Sequence, residues 1–473
     1  MITTTTRRRL LLPLLGASLA LSACGLKPEV SDQLVSQGRA GTAVGGVNDF
    51  LAEDALDGSG DGTIDTGEAG TGDGVTGGDG GTGSASTGST GTGSTGTGST
   101  GTGSTGSGTA GGGSTVGIKG DNLKLTVHAP LTGASPLPQT SFESGWRKYW
   151  SGKKAQGKYT VEVDVVDDKY TPNAAVQACR RAVPDSFLIV GGAGTDQIQA
   201  CARDSVLQRA KVPYLSAGVT TNGLTDIPTY FASTMTYKAQ SATIVKMAKQ
   251  EGFFKPGETW ALVLSGTPNF EDAKTSMEAE LAKAGIKTKY FNAPKAGGDA
   301  GPIASQLAAG NYPVVYFLGQ PIYFADLVRK AATPGVYTPK WVGPGVSMGV
   351  NAIAKLTCGN RAYHNNGFFL SPYPGLDQAA RVAPGVDFAD DIEMTMYGLM
   401  QELDQAFNLV KGPLTRESFV AAIARGQLAG GVFTPTVWAG KTHFGGTKAY
   451  VLRSNCNVGS PPGEYETRGA AIS

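Results

Sequence analysis

From Asp121 onwards, short apolar stretches alternate with helix-like stretches of about ten to fifteen residues. "NLKLTVHAP" and "YTVEVDVVDD" have the period-two pattern of a strand, and "SFLIVGGAG" is a continuous apolar run. Between them, Thr171 and Pro172 open "NAAVQACRRAV" with an N-cap residue and a first-turn proline. Strands separated by helices in this way predict parallel sheets assembled from βαβ units.

The same pattern restarts at Ser241 and includes the strand-like stretches "TWALVLSG", "KTKYF", "PVVYFLG" and "KWVGP". Two series predict an α/β protein with two doubly wound lobes joined by a hinge. We expect lobe 1 at about 121–236 with part of 350–445, and lobe 2 at about 237–349 with the C-terminal segment. Helices expected near 388–411 and from Thr415 have no strands of their own, so they should cover one lobe.

Residues 1–24 have the order of a secretory signal, in which three arginines precede a short apolar stretch and small residues. The ending Leu21–Cys24, "LSAC", resembles the lipobox of bacterial lipoproteins, which predicts acylation of Cys24; an ordinary signal with a chance cysteine is the alternative. The stretch "TRRRLL" also resembles a twin-arginine signal, so the export route stays open. No other segment is long and apolar enough to cross a membrane. We therefore expect an exported protein with a lipid anchor at the outer face of the cell membrane.

Residues 25–120 are expected to form a disordered tether. The part from Gly58 to Gly113 holds about a third of the chain's 69 glycines and repeats "STGTG". Such a composition cannot bury enough apolar surface to offset its ordering entropy. The tether would space the globular part away from the membrane.

The tether contains one motif, Asp57–Glu68, that matches the calcium loop of an EF-hand in its oxygen side chains and its glycine. The residues that follow, "AGTGDGVTGG", cannot form the exiting helix of such a motif. A solvated acidic linker and a weak half-site both stay open.

The formal net charge of +1 is distributed unevenly. The tether is acidic, and the globular part carries a mild basic excess, which is a weak hint of an anionic ligand. No cluster of Lys and Arg with interleaved aromatic residues is present, so the sequence does not support a nucleic-acid partner.

Neither a catalytic constellation nor a cofactor motif emerges from the sequence. "GGAGTD" lacks the third glycine of a dinucleotide fingerprint, and there is no Walker sequence. His128 lies in a strand and is expected in the core or at an edge, whereas His364 and His443 lie in loops without ligating partners. Asp167 and Asp168 end a strand and are expected to be solvated or to cap a helix. We expect no enzyme and no cofactor.

Apart from Cys24, four cysteines remain, namely Cys179, Cys201, Cys358 and Cys456. An even number in an exported chain predicts two disulfides, and sequence order alone permits three pairings.

Two loops have the composition of ligand-binding loops. Gly191–Thr195, "GGAGT", follows a buried strand, and Thr195 is expected to cap a helix that continues to about residue 210. Ser216–Thr221, "SAGVTT", follows the next strand. In open parallel sheets, ligands bind beyond the carboxyl ends of the strands, where helix amides and hydroxyls are available.

The order of "LKLTVHAPLTG", "VEVDVVDD", "SFLIVGGAGTDQIQAC", "VPYLSAGVTTN", "TWALVLSGTPNFEDAKTSMEAEL" and "VVYFLGQ" resembles the leucine/branched-chain-amino-acid-binding proteins, which are type I periplasmic binding proteins. The resemblance covers about 121–456. It implies two hinged lobes that close on a small-molecule solute and deliver it to an ABC transporter permease. It also implies a disulfide between Cys179 and Cys201, which leaves Cys358 to pair with Cys456.

The resemblance further implies ligand contacts in both lobes. Two lobe 1 loops would bind the polar groups of the solute, and Phe270 stands where relatives usually have tyrosine. The matching positions are Ala193, Gly194, Thr195, Gly218, Val219, Thr220, Phe270 and Gln320.

One departure from the family's pattern concerns the acid that pairs with a ligand ammonium, because Gly345 stands at that position. Either another acid substitutes for it, or the ligand is not a simple α-amino acid. The sequence therefore predicts a lipid-anchored solute-binding protein for a small polar or carboxylate-bearing solute. A non-transporting cell-surface sensor or interaction module with the same fold is the alternative.

Overall fold

The computed structural model describes residues 113–216, 220–295, 297–333, 335–345, 349–440 and 443–473. Within them the chain forms two larger sheets and a two-stranded hairpin. The expected signal, the tether with its Asp57–Glu68 motif, and Cys24 lie outside the described residues.

The first sheet is built mainly of parallel strands. β3, β2, β4, β5 and β6 lie side by side in parallel, and β1 pairs antiparallel with the start of β2. We call this sheet and the helices that pack on it lobe 1. The strands are β1 (Ile118–Lys119), β2 (Asn122–Ala129), β3 (Thr160–Asp167), β4 (Leu188–Gly191), β5 (Tyr214–Ser216) and β6 (Tyr230–Ala232).

The second sheet has seven strands in the order β15, β14, β11, β10, β9, β7 and β8. Its five strands from β11 to β8 are parallel, and β14 and β15 add an antiparallel edge. We call this sheet and its helices lobe 2. The strands are β7 (Thr259–Ser265), β8 (Lys287–Ala293), β9 (Val314–Leu318), β10 (Lys340–Pro344), β11 (Gly367–Ser371), β14 (Tyr450–Asn455) and β15 (Glu464–Thr467). The hairpin consists of β12 (Gln427–Leu428) and β13 (Thr436–Val437).

The helices alternate with the strands, as expected for βαβ units. They are α1 (Gln139–Trp150), α2 (Pro172–Ala182), α3 (Thr195–Ala202), α4 (Ser205–Arg209), α5 (Tyr237–Gln250), α6 (Glu271–Lys283), α7 (Gly301–Gly310), α8 (Pro321–Ala331), α9 (Asn351–Thr357), α10 (Ala379–Val382), α11 (Asp391–Leu409) and α12 (Arg416–Ile423). The long α11 packs against α1 and so covers lobe 1.

Each lobe has its own apolar core. In lobe 2, Trp260, Phe317 and Trp341 are fully buried between the sheet and its helices. In lobe 1, one cluster lies under α1 and α11, and a second lies on the opposite face of the sheet under α2 and α3. Burying one such large apolar side chain is worth about 1.5–3 kcal/mol. The two-lobed α/β fold expected from the sequence is therefore confirmed. Among the described residues, no helix is long and apolar enough to cross a membrane.

The described residues form two disulfides. Cys179 in α2 is bonded to Cys201 in α3, and Cys358 after α9 is bonded to Cys456 after β14. This is the pairing that the resemblance implies.

The first described residues are attached to lobe 1. The backbone N–H of Ser114 donates to Oε2 of Glu417 at 2.6 Å, and the N–H of Arg416 donates to the carbonyl of Ser114 at 2.8 Å. The guanidinium of Arg416 is buried and donates to four carbonyls of lobe 1, those of Val183, Ser186, Phe187 and Ala210.

Two local predictions differ from the structure. The helix expected from Thr195 to about residue 210 is divided in two, because Asp204 accepts a hydrogen bond from the N–H of Val206 and starts a second helix. Thr195 is the first helical residue, and the N-cap is Gly194. The predicted cap at Thr171 is confirmed, since its side chain accepts from the N–H of Ala174.

Candidate ligand cleft

The loop between β4 and α3 contributes Ala193, Gly194 and Thr195, all partly exposed. Gly194 has a φ of +84°, and a Cβ on it would lie 2.3 Å from Oε1 of Gln197. Only glycine fits this turn without strain. The hydroxyl of Thr195 lies 3.2 Å from the hydroxyl of Tyr237, the first residue of α5. This loop therefore meets the chain where it enters lobe 2.

The loop after β5 contributes Thr220, which is only 1% exposed. Its Oγ1 accepts a hydrogen bond from the N–H of Asn222 at 3.2 Å. Gly218 and Val219, two further predicted contacts, lie outside the described residues. Ser216 is buried at the end of β5, and its hydroxyl lies 2.9 Å from that of Tyr230.

Lobe 2 contributes Phe270 and Gln320. Phe270 ends the short turn after β7, and its ring packs edge-on against Tyr237 with the ring centres 5.8 Å apart. Gln320 is buried just before α8, and its Nε2 donates to the carbonyl of Ala134 in lobe 1. Phe270 therefore contacts Tyr237, where the chain enters lobe 2, and Gln320 contacts lobe 1 directly.

Polar contacts join the facing edges of the two lobes. Asn269 donates to Oδ1 of Asp196, and Lys295 lies 3.4 Å from Oδ2 of the same carboxylate. Oδ2 of Asp272 accepts from the N–H and the hydroxyl of Thr221, each at 3.1 Å. The lobes are thus in contact at the carboxyl edges of their sheets. Contacts of this kind stabilise a closed arrangement around a ligand.

Three tyrosines that were not predicted from the sequence lie within electrostatic range of Asp196 or Asp272. Burial, together with the charges of Asp196 and Asp168, raises the pKa of the Tyr170 hydroxyl to about 12. Burial also raises the pKa of Tyr237 and of Tyr316. All three phenols are therefore neutral at physiological pH and can both donate and accept hydrogen bonds.

Gly345, the residue directly after β10, is buried against β11. A Cβ on this residue would lie 2.7 Å from the carbonyl oxygen of Leu370. An acidic side chain cannot be placed here without moving the backbone. The acids at the facing edges are instead Asp196 and Asp272.

In lobe 1, His128, Asp168 and Tyr214 form a buried hydrogen-bonded network below the carboxyl edge of the sheet. Nδ1 of His128 is 2.8 Å from Oδ2 of Asp168, and its Nε2 is 2.6 Å from the hydroxyl of Tyr214. His128 is in the core, as predicted, but the prediction that Asp168 is solvated or caps a helix is wrong. Asp168 is fully buried because the chain turns directly after β3 and its carboxylate pairs with the imidazole. Asp167 accepts from the N–H groups of Leu131 and Thr132 instead.

The sulfur atoms of the Cys179–Cys201 disulfide lie near His128, but they are bonded to each other and cannot act as thiolate ligands. The other histidines also have structural contacts. His364 accepts from the N–H of Cys456 at 3.1 Å, and Nδ1 of His443 lies 2.7 Å from the carbonyl of Tyr230.

A comparison of the chain with protein families identifies one family that agrees with this fold. The family described as periplasmic binding protein matches residues 123–459, which is most of the chain. The chain belongs to this family. The resemblance expected from the sequence is thereby confirmed, and members of the family are extracytoplasmic substrate-binding proteins rather than enzymes.

Solved structures of the same fold include several ABC transporter proteins. A fatty acid ABC transporter substrate-binding protein from Thermomonospora curvata is 16% identical, with a TM-score of 0.63, over 76% of this chain and 94% of that one. A solute-binding protein from R. palustris in complex with 4-hydroxybenzoate is 16% identical, with a TM-score of 0.61, over 74% and 97%. A leucine-binding protein from Thermotoga maritima is 16% identical, with a TM-score of 0.58, over 74% and 98%. No curated protein matches the chain.

Proposed function

We propose that this protein is the solute-binding component of an ABC importer and captures a small polar, carboxylate-bearing solute between its lobes. The observation that carries the proposal is the meeting of two lobes at the carboxyl edges of their parallel sheets, with hydroxyl and glycine-rich loops on lobe 1. Ligands of open α/β sheets bind at this edge. The solved structures of a fatty acid transporter protein, a 4-hydroxybenzoate complex and a leucine-binding protein support a carboxylate-bearing solute.

In this proposal, lobe 1 binds the carboxylate. The N–H groups at the start of α3 are unsatisfied donors at the positive end of a helix dipole, which favours an anionic group. The hydroxyls of Thr195 and Thr220 supply two further hydrogen-bonding groups. Phe270 and Tyr237 would pack against the apolar part of the solute, and Ala193, Gly218 and Val219 would supply backbone contacts. Gln320 closes the cleft from lobe 2.

A thermal-shift screen over amino acids, amides, short carboxylates and aromatic acids tests this proposal, because a ligand that binds only the folded state raises its melting temperature. Thr220→Ala should weaken the affinity of a hit by about tenfold, since it removes a buried hydrogen-bonding group. Thr225, an exposed threonine of the same loop region, provides the matched control as Thr225→Ala. If no compound of a broad panel raises the melting temperature, solute capture is wrong.

The proposed attachment to the membrane is a lipid on Cys24. In a producing cell, wild-type protein should be found in the membrane fraction, and its N-terminal peptide should carry the mass of an acyl-modified cysteine. Cys24→Ser should move the protein to the soluble fraction, because it removes the thiol that would carry the proposed lipid. Unmodified Cys24 in the mature protein would contradict the anchor without affecting solute capture.

A further inference from the structure

Two of the segments in which the chain passes between the lobes are bound to each other. We call residues 233–236, between β6 and α5, the first crossing, and residues 443–449, before β14, the last crossing. The N–H of Ala232, next to the first crossing, donates to the carbonyl of His443, and the N–H of Gly445 donates to the carbonyl of Ala232, each at 2.8 Å. The two crossings form a hinge, since one lobe can rotate on the other only if these segments move.

Glu402 of α11 lies beneath this hinge and is only 1% exposed. Its Oε1 accepts a hydrogen bond of 2.9 Å from the hydroxyl of Thr436, which is bridged through its backbone to Gly446 of the last crossing. Ser233 of the first crossing is also buried, and its hydroxyl is close enough to lower the pKa of Glu402. Among the described residues, however, neither this hydroxyl nor Oε2 of Glu402 has a partner in hydrogen-bonding geometry. The carboxyl group is therefore linked to both crossings and has one unsatisfied oxygen.

The surroundings of Glu402 favour its neutral form. Each titratable group of the elements packed on α11 and of the last crossing is bound to another residue or exposed to water. These groups are Glu143, Arg147, Lys148 and Tyr149 of α1, Arg416 and Glu417 of α12, and His443 and Lys448 of the last crossing. Burial raises the pKa of Glu402 from 4.5 to about 7, the hydroxyls of Ser233 and Thr436 only partly oppose this shift, and no charge of the described residues contributes to it.

We propose that Glu402 is a pH switch of this hinge, so that its neutral form favours closed lobes and its ionisation favours open ones. The neutral acid accepts from Thr436 at Oε1 and can donate from Oε2 to the hydroxyl of Ser233, which joins the two crossings. The ionised acid is stabilised by water, which reaches it when the crossings move apart. The switch goes beyond solute capture, because it acts on the lobes whether or not a solute is bound.

Linkage gives the sign and the size of the effect. Closed lobes bind the proton of Glu402 more tightly than open lobes in which the carboxyl group meets water. The advantage of the closed form is therefore fully present below the pKa of the hydrated acid and is lost as the pH rises through the pKa of the buried acid. With a pKa of 4.5 in open lobes and of about 7 in closed lobes, the ratio of closed to open molecules should fall by up to about tenfold between pH 6 and pH 8.

The test measures the distance between the lobes in the protein without solute. Spin labels are attached to p-acetylphenylalanine introduced at two exposed positions, Gln177 of α2 and Thr275 of α6, so that the native cysteines are not labelled. Distance distributions from double electron–electron resonance are recorded from pH 5 to pH 9 for wild type, for Glu402→Gln and for the control Asp391→Asn. Glutamine has the shape of the neutral acid and does not titrate. Asp391 is another buried acid of α11, with its pKa also raised to about 7.

We expect the ratio of closed to open molecules to fall with rising pH in wild type and in Asp391→Asn, and to stay constant in Glu402→Gln. Thr436→Val removes a hydroxyl that lowers the pKa of Glu402, so it should move the fall to higher pH. This shift, together with the response of wild type, decides the question if Glu402→Gln does not fold.

A wild-type ratio that does not change between pH 6 and pH 8 would overturn the switch. A fall that persists in Glu402→Gln, that disappears in Asp391→Asn or that is not shifted by Thr436→Val would overturn it as well. Because no solute is present, each of these results leaves solute capture intact. A compound panel without a single hit would end the proposed function and leave the switch in place.

Discussion

Asp391, a buried acid between the lobes, should contribute progressively less to the stability of the protein as the pH rises from about 4 to about 7. Asp391, the first residue of α11, is 4% exposed, and its Oδ2 accepts from the N–H of Asn351 at the start of α9 at 2.8 Å. Its pKa is raised to about 7, mainly by burial and also by the charge of Asp390. The hydrogen bond from Asn351 and the charge of Lys355 only partly oppose it.

The size of the effect follows from linkage. The pKa of this carboxyl group rises from 3.8 to about 7 on folding, so the folded state binds the proton more tightly than the unfolded state. The corresponding stability is fully present below the unfolded pKa and is lost as the pH rises through the folded pKa. At 1.36 kcal/mol for each pKa unit, about 4 kcal/mol of unfolding free energy is at stake. The variant Asp391→Asn keeps an acceptor for the N–H of Asn351 and does not titrate. Its unfolding free energy relative to that of wild type should therefore increase towards neutral pH, by up to this amount.

Urea unfolding of both proteins at pH 4, 5, 6, 7 and 8, followed by tryptophan fluorescence, measures the effect. Asp204→Asn is the control with the opposite sign. Although burial raises the pKa of Asp204, hydrogen bonds from Arg180 and from the N–H of Val206 lower it overall. Its stabilisation should therefore be present above the unfolded pKa and be lost on acidification. Unfolding free energies of wild type and Asp391→Asn that run parallel from pH 4 to pH 8 would refute this reasoning.

Two further predictions concern the covalent and polar contacts of the fold. Replacing Cys358 and Cys456 by serine should lower the unfolding free energy by about 5 kcal/mol, and replacing Cys179 and Cys201 by about 3 kcal/mol, because the first pair closes a loop of 98 residues and the second one of 22. Urea unfolding measures both losses of unfolding free energy. A larger loss for Cys179 and Cys201, which close the shorter loop, would contradict the prediction. Arg416→Met should cost about 3 kcal/mol or more, because it leaves buried carbonyls without donors. An unchanged melting temperature would show that water replaces the guanidinium.

The βαβ framework was predictable because its information is local. Strands such as Thr259–Ser265 are continuous apolar runs between helices, and the parallel sheets follow from that alternation. β11, β14 and β15 were missed, because they follow loop-rich segments without the regular spacing of the two series. Gly367–Ser371 is short and becomes a strand only by pairing with β10 and β14.

The candidate site could be predicted only in part. Thr195 and Thr220 follow buried strands, and that pattern is visible in a single chain segment. Tyr237 and Asp272 face the site only because the two lobes meet, and their separation in sequence from the lobe 1 loops gives no local signal. The side-chain partner of Asp168 could not be predicted either, since His128 is brought to it by the parallel pairing of β2 with β3.

The attachment of Ser114 to α12 has a mechanical consequence. A force applied through the residues that precede the described part of the chain enters at lobe 1, where Ser114 is held by Arg416 and Glu417. Such a force loads the six-stranded sheet and does not pull across the contacts between Asp272 and Thr221. Tension on the N-terminal segment should therefore leave the contacts between the two lobes unloaded.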